Sequence, residues 1–237
     1  MALYTIADPH LSLAKLKPMD VFGTRWQNHT DRLIKGWKSV VTDDDTVLVG
    51  GDISWGISLD EAAPDLALID SLPGKKIFLR GNHDYWWNTL QKNNEHLAAC
   101  GHTTIDFLQN NAHICEDFVI CGTRGWYNDP GVAPKETDYK KIVSREAIRL
   151  EFSLKAGAAI ADGREMLAFF HFPPYYGDYV CRELIDLLHA YGIKRADFGH
   201  IHGQYRIPPS TEFEGIQFTV TSSDYLSFVP LRVFPSL

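Results

Sequence analysis

The sequence predicts an α/β fold. Short β-rich runs bounded by Gly, Pro, Asn or Asp alternate with helical stretches from the start of the chain. The end is strand-rich, with no helix after Tyr191, and no repeat or linker divides the 237 residues. In order, the strands are Ala2–Ala7, Thr46–Val49 after the turn-rich Thr42–Asp45, Lys76–Leu79, Ile105–Leu108 and Phe118–Cys121. Met166–Phe170, Ala196–Phe198, Ile216–Thr221 and Phe228–Phe234 complete the series. The first helix is expected over Trp26–Val40, where Leu33, Ile34 and Trp37 share a face. Leu59–Leu72 follows, with Leu66, Ile69 and Leu72 at similar spacing, then Asn88–Ala99 and the long Tyr139–Ala161. The last is Tyr179–Ala190, presenting Leu184, Leu187 and Leu188. The strand-rich ending implies some antiparallel pairing, and residues 1–237 are expected to form one domain.

Composition narrows the function classes. Hydrophobic residues make up 45% and charged residues 22%, so a core forms without disulfide or metal staples. The 18 Gly and 12 Pro lie near the usual share, which excludes collagen-like and low-complexity chains. The net charge is −7, with Lys and Arg scattered, and a general binder of nucleic acid would show a basic face or tail. Met1–His10 has no signal-peptide pattern, and no run approaches the ~18 apolar residues of a membrane span. Cys100, Cys115, Cys121 and Cys181 lack CxxC spacing and are expected as reduced, buried thiols in the cytoplasm.

The chemistry-bearing residues sit where strands end. Asp8-Pro9-His10 follows the first strand, Gly50-Gly51-Asp52 the second, and Gly81-Asn82-His83-Asp84 the third. His171 comes directly after Met166–Phe170, and Gly199-His200-Ile201-His202-Gly203 after Ala196–Phe198. Ligand sites of α/β sheets lie outside the carboxyl ends of strands, so five runs deliver Asp, His and Asn to one rim. In extended chain, residues i and i+2 point the same way, which would let Asp8 with His10, and His200 with His202, each aim at one place. Oxygen and imidazole donors without thiolate suit Mn, Fe, Zn or Ni.

This ordered set resembles the calcineurin-like metallophosphoesterase superfamily. The match consists of D-x-H at Asp8–His10, GD at Gly51–Asp52, GNHD at Gly81–Asp84, His171, and GHxH at Gly199–His202. The resemblance implies two mixed β-sheets packed as a four-layer sandwich with flanking helices. It implies two divalent metal ions, one held by Asp8, His10 and His202, the other by Asn82, His171 and His200, with Asp52 bridging. His83 would be the proton donor and Asp84 a candidate orienting group. A metal-bridging hydroxide would attack a phosphomonoester or phosphodiester in line. Two such ions bring about +4 against two carboxylates and a hydroxide, leaving about +1, which lets an acidic protein accept phosphate.

Other residues have settings that carry less. Arg124, after Phe118–Cys121, either holds a substrate phosphate oxygen through its planar fork or makes a structural ion pair. Arg80 reads as structural. His29, His96, His102, His113 and His189 read as surface or helix-end residues, and Asp43-Asp44-Asp45 as a solvated turn. Trp55, Trp86, Trp87, Trp126, Tyr127, Tyr175 and Tyr176 crowd the loops near the ligands, some walling a pocket and some packing on the sheet. Arg124–Asp138, rich in Gly, Pro and polar residues, reads as a loop able to overhang the site, with a lid role left open. A catalytically dead scaffold would lack ligands or the proton donor, and this chain keeps both. The expected partner is a small phosphoester, not a long nucleic acid, whose affinity rests on phosphate neutralisation, nor a membrane.

Overall fold

In the computed structural model of the protein, residues 1–15, 17–126 and 138–235 are described. The chain first lays down β1 (Leu3–Ile6), β2 (Thr46–Val49), β3 (Lys75–Phe78) and β4 (Ile105–Phe107), all parallel. It then crosses to a second sheet with β5 (His113–Cys115), β6 (Phe118–Thr123) and β7 (Glu165–Phe170). A small hairpin, β8 (Tyr175–Tyr176) and β9 (Tyr179–Val180), precedes β10 (Arg195–Phe198), β11 (Ser210–Phe213) and β12 (Ile216–Val220). Finally β13 (Leu231–Arg232) returns antiparallel to β1. The sheet orders are β13-β1-β2-β3-β4 and β11-β12-β10-β7-β6-β5. In the second, β12, β10, β7 and β6 run parallel, and both edges are antiparallel. Both sheets are therefore mixed.

The side-chain alternation of the strands creates three apolar layers. Leu3, Leu48 and Ile77 from the first sheet pack with Ile120, Leu167 and Phe169 from the second. The opposite face of the first sheet, with Ile6, Val47, Val49 and Phe78, is covered by Leu33 and Trp37 of α1 (His29–Val40) and Leu66 and Ile69 of α2 (Leu59–Asp70). Leu97 of α3 (Leu90–Cys100) joins the same cluster. The outer face of the second sheet, with Val119, Cys121, Ala168 and Phe170, takes Leu150 and Leu154 of α4 (Tyr139–Ile160). Leu184 and Leu188 of α5 (Arg182–Ala190) complete that cluster. Each large side chain so buried contributes about 1.5–3 kcal/mol. The result is helices, sheet, sheet, helices: the four-layer sandwich that the motif resemblance implied.

Backbone bonds sew the two sheets together at the rim where the parallel strands end. Ala7 N–H donates to the Thr221 carbonyl at 2.8 Å, and Ser223 N–H to the Ala7 carbonyl at 2.8 Å. Asp8 N–H donates to Gly51 O and His10 N–H to Asp52 O, each at 2.9 Å. This sets the loop after β1 against the loops after β2 and β12.

The structure departs from the sequence expectations in a few elements. The first helix starts at His29, because Asn28 is left-handed at φ 51° and Thr24–Trp26 forms a separate 3-10 turn. The expected Phe228–Phe234 strand shrinks to β13, since Ser227 and Phe228 have φ of 55° and 65° and Phe228 turns inward against Trp26. All four cysteines are free thiols; Cys115, Cys121 and Cys181 are buried as expected, whereas Cys100, the last residue of α3, is exposed. No helix among the described residues is long and apolar enough to cross a membrane. Most of the Arg124–Asp138 loop lies outside the described residues.

Candidate metal centre

Strand ends place the candidate ligands, and unusual backbone aims them. Asp8, His10, Asp52 and His200 have φ of 58°, 47°, 52° and 67°. These left-handed conformations cost of order 1–3 kcal/mol each outside glycine and collect at functional sites. Asp and His are among the types that visit this region more readily. The extended i, i+2 geometry expected from sequence is therefore replaced by turned chain. Gly81 explains part of the close fit: a Cβ there would collide with the backbone nitrogen and Oδ1 of Asp52.

Two groups of donor atoms form. Asp8, His10 and His202 bring one ligand atom each within 4.8 Å of the others. The Nε2 atoms of His10 and His202 are 3.4 Å apart, and Asp8 Oδ1 is 3.7 Å from His202 Nε2. Asp8, Asp52 and His171 meet the same limit. His171 Nε2 lies 3.5 Å from Asp52 Oδ2 and 2.7 Å from Asn82 Oδ1. Asp52 Oδ2 is also 3.7 Å from His10 Nε2, so a single oxygen stands between the two groups. His200 does not follow its i+2 neighbour: its ring stands beside His171, centroids 5.3 Å apart, while His202 faces Asp8 and His10.

The donor set fits divalent cations. Asp8 Oδ2 accepts the His200 amide at 2.8 Å, but buried Oδ1 has no hydrogen-bond partner. Asp52 Oδ1 accepts the His83 amide at 2.7 Å, leaving Oδ2 toward His10 and His171. A buried carboxylate oxygen facing imidazole nitrogens is costly without a compensating charge. Burial and the Asp8 and Asp84 charges push the Asp52 carboxyl well above its ordinary range. Burial and then His202 push His10 well below its own, and burial with His171 drives His200 down to about 3. Neutral imidazole is the form that binds metal. His202 is the exception: burial opposes its charge, yet Asp8 and a hydrogen bond to Asp224 hold it up to about 10.

Residues 1–204 match the family model of the calcineurin-like phosphoesterases. The chain belongs to the calcineurin-like phosphoesterase family. Its two clusters, Asp8 with His10 and His202 and Asp8 with Asp52 and His171, have the donor atoms to hold a metal ion. It is similar to Gene 66 protein of Mycobacterium phage L5, 36% identical over 78 residues, which is 33% of this chain and 37% of the phage protein. It is also similar to the uncharacterized protein MJ1445 of Methanocaldococcus jannaschii, 34% identical over 83 residues, 35% of this chain and 46% of that protein. The matched stretches thus span less than half of either relative. The solved structure of TT1561 from Thermus thermophilus shares the fold, with a TM-score of 0.60 at 11% identity over 94% of this chain and 89% of that one.

Around this candidate centre, some expected residues take other places. Asp84 does not orient His83, whose Nδ1 is buried without a hydrogen-bond partner. Its buried carboxylate instead accepts the amides of Gly81, Asp52 and Ile53 at 2.7, 2.9 and 2.8 Å, that of Ser54 at 3.3 Å, and Trp86 Nε1 at 3.0 Å. Asp84 is thus a positioning residue that locks the loop after β2 onto the loop after β3. Asp84→Ala orphans these donors and is expected to cost about 3–5 kcal/mol, read as a lowered urea midpoint.

Arg124 reaches the rim through its backbone, its carbonyl accepting the amides of His171 and Phe172 at 3.2 and 2.8 Å. Its guanidinium instead pairs at 3.5 Å with Glu146, a fully buried carboxylate that also takes Arg149 and the Thr123 hydroxyl. A buried carboxylate needs such partners, so the structural alternative of the two sequence readings is the one observed.

Two supporting residues escaped sequence reasoning. Asp224, fully buried after β12, accepts from His202 Nδ1 at 2.8 Å, from the Gly203 amide at 3.1 Å and from the Tyr205 hydroxyl at 2.9 Å. It fixes the tautomer that turns Nε2 inward, as the Gly50 carbonyl does for His171 Nδ1 at 3.1 Å. Its only sequence signal is an acidic residue just beyond a strand end. Asp224→Asn is expected to weaken cation binding about 10–100-fold, measured by titrating manganese into stripped protein. His29 takes the helix-end alternative, as the first residue of α1, but it is buried, and its Nε2 meets the His10 carbonyl at 3.2 Å under the strained loop. Trp86 and Trp87 belong to the core, whereas half-buried Trp55 stacks on His10 at 5.0 Å and lies 4.4 Å from His83.

Proposed function

We propose that the protein hydrolyses small phosphomonoesters or phosphodiesters at a centre of two divalent cations, with Mn, Fe, Zn or Ni the metals its donors suit. Asp8, His10 and His202 would hold one, Asn82, His171 and His200 the other, and Asp52 both. The observation that carries this reading is the convergence of Asp52 Oδ2 on His10 at 3.7 Å and on His171 at 3.5 Å, beside an Asp8 Oδ1 that has no hydrogen bond. When bound, such a pair supplies a water of lowered pKa and a clamp on phosphate oxygens for in-line displacement.

The chain's own residues do the rest. The His83 amide holds Asp52 through Oδ1, so Oδ2 stays aimed between the two groups. Asp84 keeps the loops of Asp52 and Asn82 in register. His83 gives its proton to the leaving oxygen as the ester bond breaks. Burial, with His171 and Lys17 nearby, sets its pKa down to about 4, and an anionic phosphate beside it would draw that value up. Arg124, committed to Glu146, has no substrate role in this scheme. Because both sheets contribute ligands, we read residues 1–237 as one domain, and the free buried thiols suit a reducing cytoplasm.

The test is metal analysis combined with turnover of p-nitrophenyl and bis-p-nitrophenyl phosphate. Two cations per chain and activity lost on chelation, then restored by manganese, are expected. Unchanged turnover after complete metal removal would overturn the reading.

A further inference from the structure

Beside the metal centre lies a cavity of about 320 Å³ whose floor is the rings of His10, His83 and His202. Its walls are Met19, Phe22, Trp26 and Trp55. Met19 and Trp26 are buried at 5% and 2% exposure, whereas Phe22 stands at the mouth 62% exposed. Building on the phosphoesterase reading above, we infer that this cavity receives the leaving group, and that the leaving group is an uncharged, aromatic-sized alcohol.

Position assigns the occupant. In an in-line displacement the leaving oxygen departs on the side facing the proton donor, and His83 is part of this floor. The bond to that oxygen breaks while water supplies the new oxygen on phosphorus. The departing electron pair takes the His83 proton, so phosphoester and water give alcohol and phosphate. Whatever is attached to the leaving oxygen therefore extends into this cavity.

Chemistry assigns the class. The walls offer two indoles, a phenyl ring and a thioether, groups that favour stacked or edge-on aromatic contacts. The Trp55 indole N–H is already directed at Met19 Sδ, 3.3 Å away. No carboxylate, amide or hydroxyl side chain lines the cavity. A sugar or polyol there would find only the ring nitrogens of the floor for its several hydroxyls, and each hydroxyl left buried and unpaired costs about 1–3 kcal/mol. The volume lies at the lower end of the range for small-molecule pockets, enough for one or two fused rings.

The experiment uses Phe22→Ala and Trp55→Ala with two readouts. First, kcat/KM is measured for 2-naphthyl phosphate and glycerol 2-phosphate on manganese-loaded protein. The ratio of the two is expected to fall at least tenfold in each variant, and comparing each substrate with itself cancels leaving-group acidity. Second, 2-naphthol binding to metal-free protein is followed by equilibrium dialysis, and is expected to weaken about tenfold in Phe22→Ala, a surface change that spares the core. An unchanged ratio, or 2-naphthol failing to bind the parent protein, overturns the inference. If 2-naphthol binds but no phosphoester turns over, the pocket stands and the proposed reaction fails.

Discussion

Asp52→Asn is expected to lower kcat for phosphoester hydrolysis about 10³-fold or more, since cation stabilisation of the transition state is worth several kcal/mol. The substitution keeps an oxygen to accept the His83 amide and removes the charge shared between His10 and His171. Folding should not suffer. Asp52 is buried close to the Asp8 and Asp84 charges, which together push its pKa well up, so an uncharged amide relieves repulsion. The metal-free variant is therefore expected to melt no lower than the parent, while titration calorimetry shows weakened or lost binding of one cation. A variant with parental turnover would remove Asp52 from the mechanism.

The second large effect belongs to His83→Ala. Loss of a general acid typically costs about 10²–10⁴-fold, and the loss should be greatest for alkyl esters, whose leaving oxygen needs the proton. With p-nitrophenyl phosphate the deficit should shrink, because nitrophenolate leaves unprotonated. The pH dependence has a defined sign. In the free protein His83 sits at about 4 because of burial, His171 and Lys17, and bound phosphate raises it. The alkaline limb of kcat, which reports the substrate complex, should thus lie at higher pH than that of kcat/KM, which reports the free enzyme. Both limbs should vanish in His83→Ala. An equal deficit for alkyl and nitrophenyl esters would assign His83 to binding alone.

The strand-end signals were legible because polar residues that interrupt apolar runs have few structural reasons to be there. Asp8, Asp52, Asn82, His171 and the His200/His202 pair could all be picked out this way. The packing of two sheets face to face was not: Leu48 and Val49 look alike in sequence, yet one faces the other sheet and the other faces the helices. That part came from the motif resemblance. The polar edge strand β11 and the three-residue β5 were missed because their pairing rests on backbone bonds to β12 and β6, which side-chain periodicity does not report. Asp224 lacked a legible role, and the loop-locking contacts of Asp84 were not legible, for a related reason. Their carboxylates act on amides and rings from distant loops, contacts that exist only after the chain has closed.

Asp8, His10, Asp52 and Asn82 hang from one sheet, and His171, His200 and His202 from the other. Ions seated there would rivet the two halves across their seam, so affinity for metal and cohesion of the layers become linked quantities. Removing the cations is expected to lower the melting temperature along with turnover, while the apolar layer between the sheets keeps the sandwich closed. Heat resistance should accordingly climb with free metal concentration, by about 2.7 kcal/mol at a hundredfold excess over the dissociation constant.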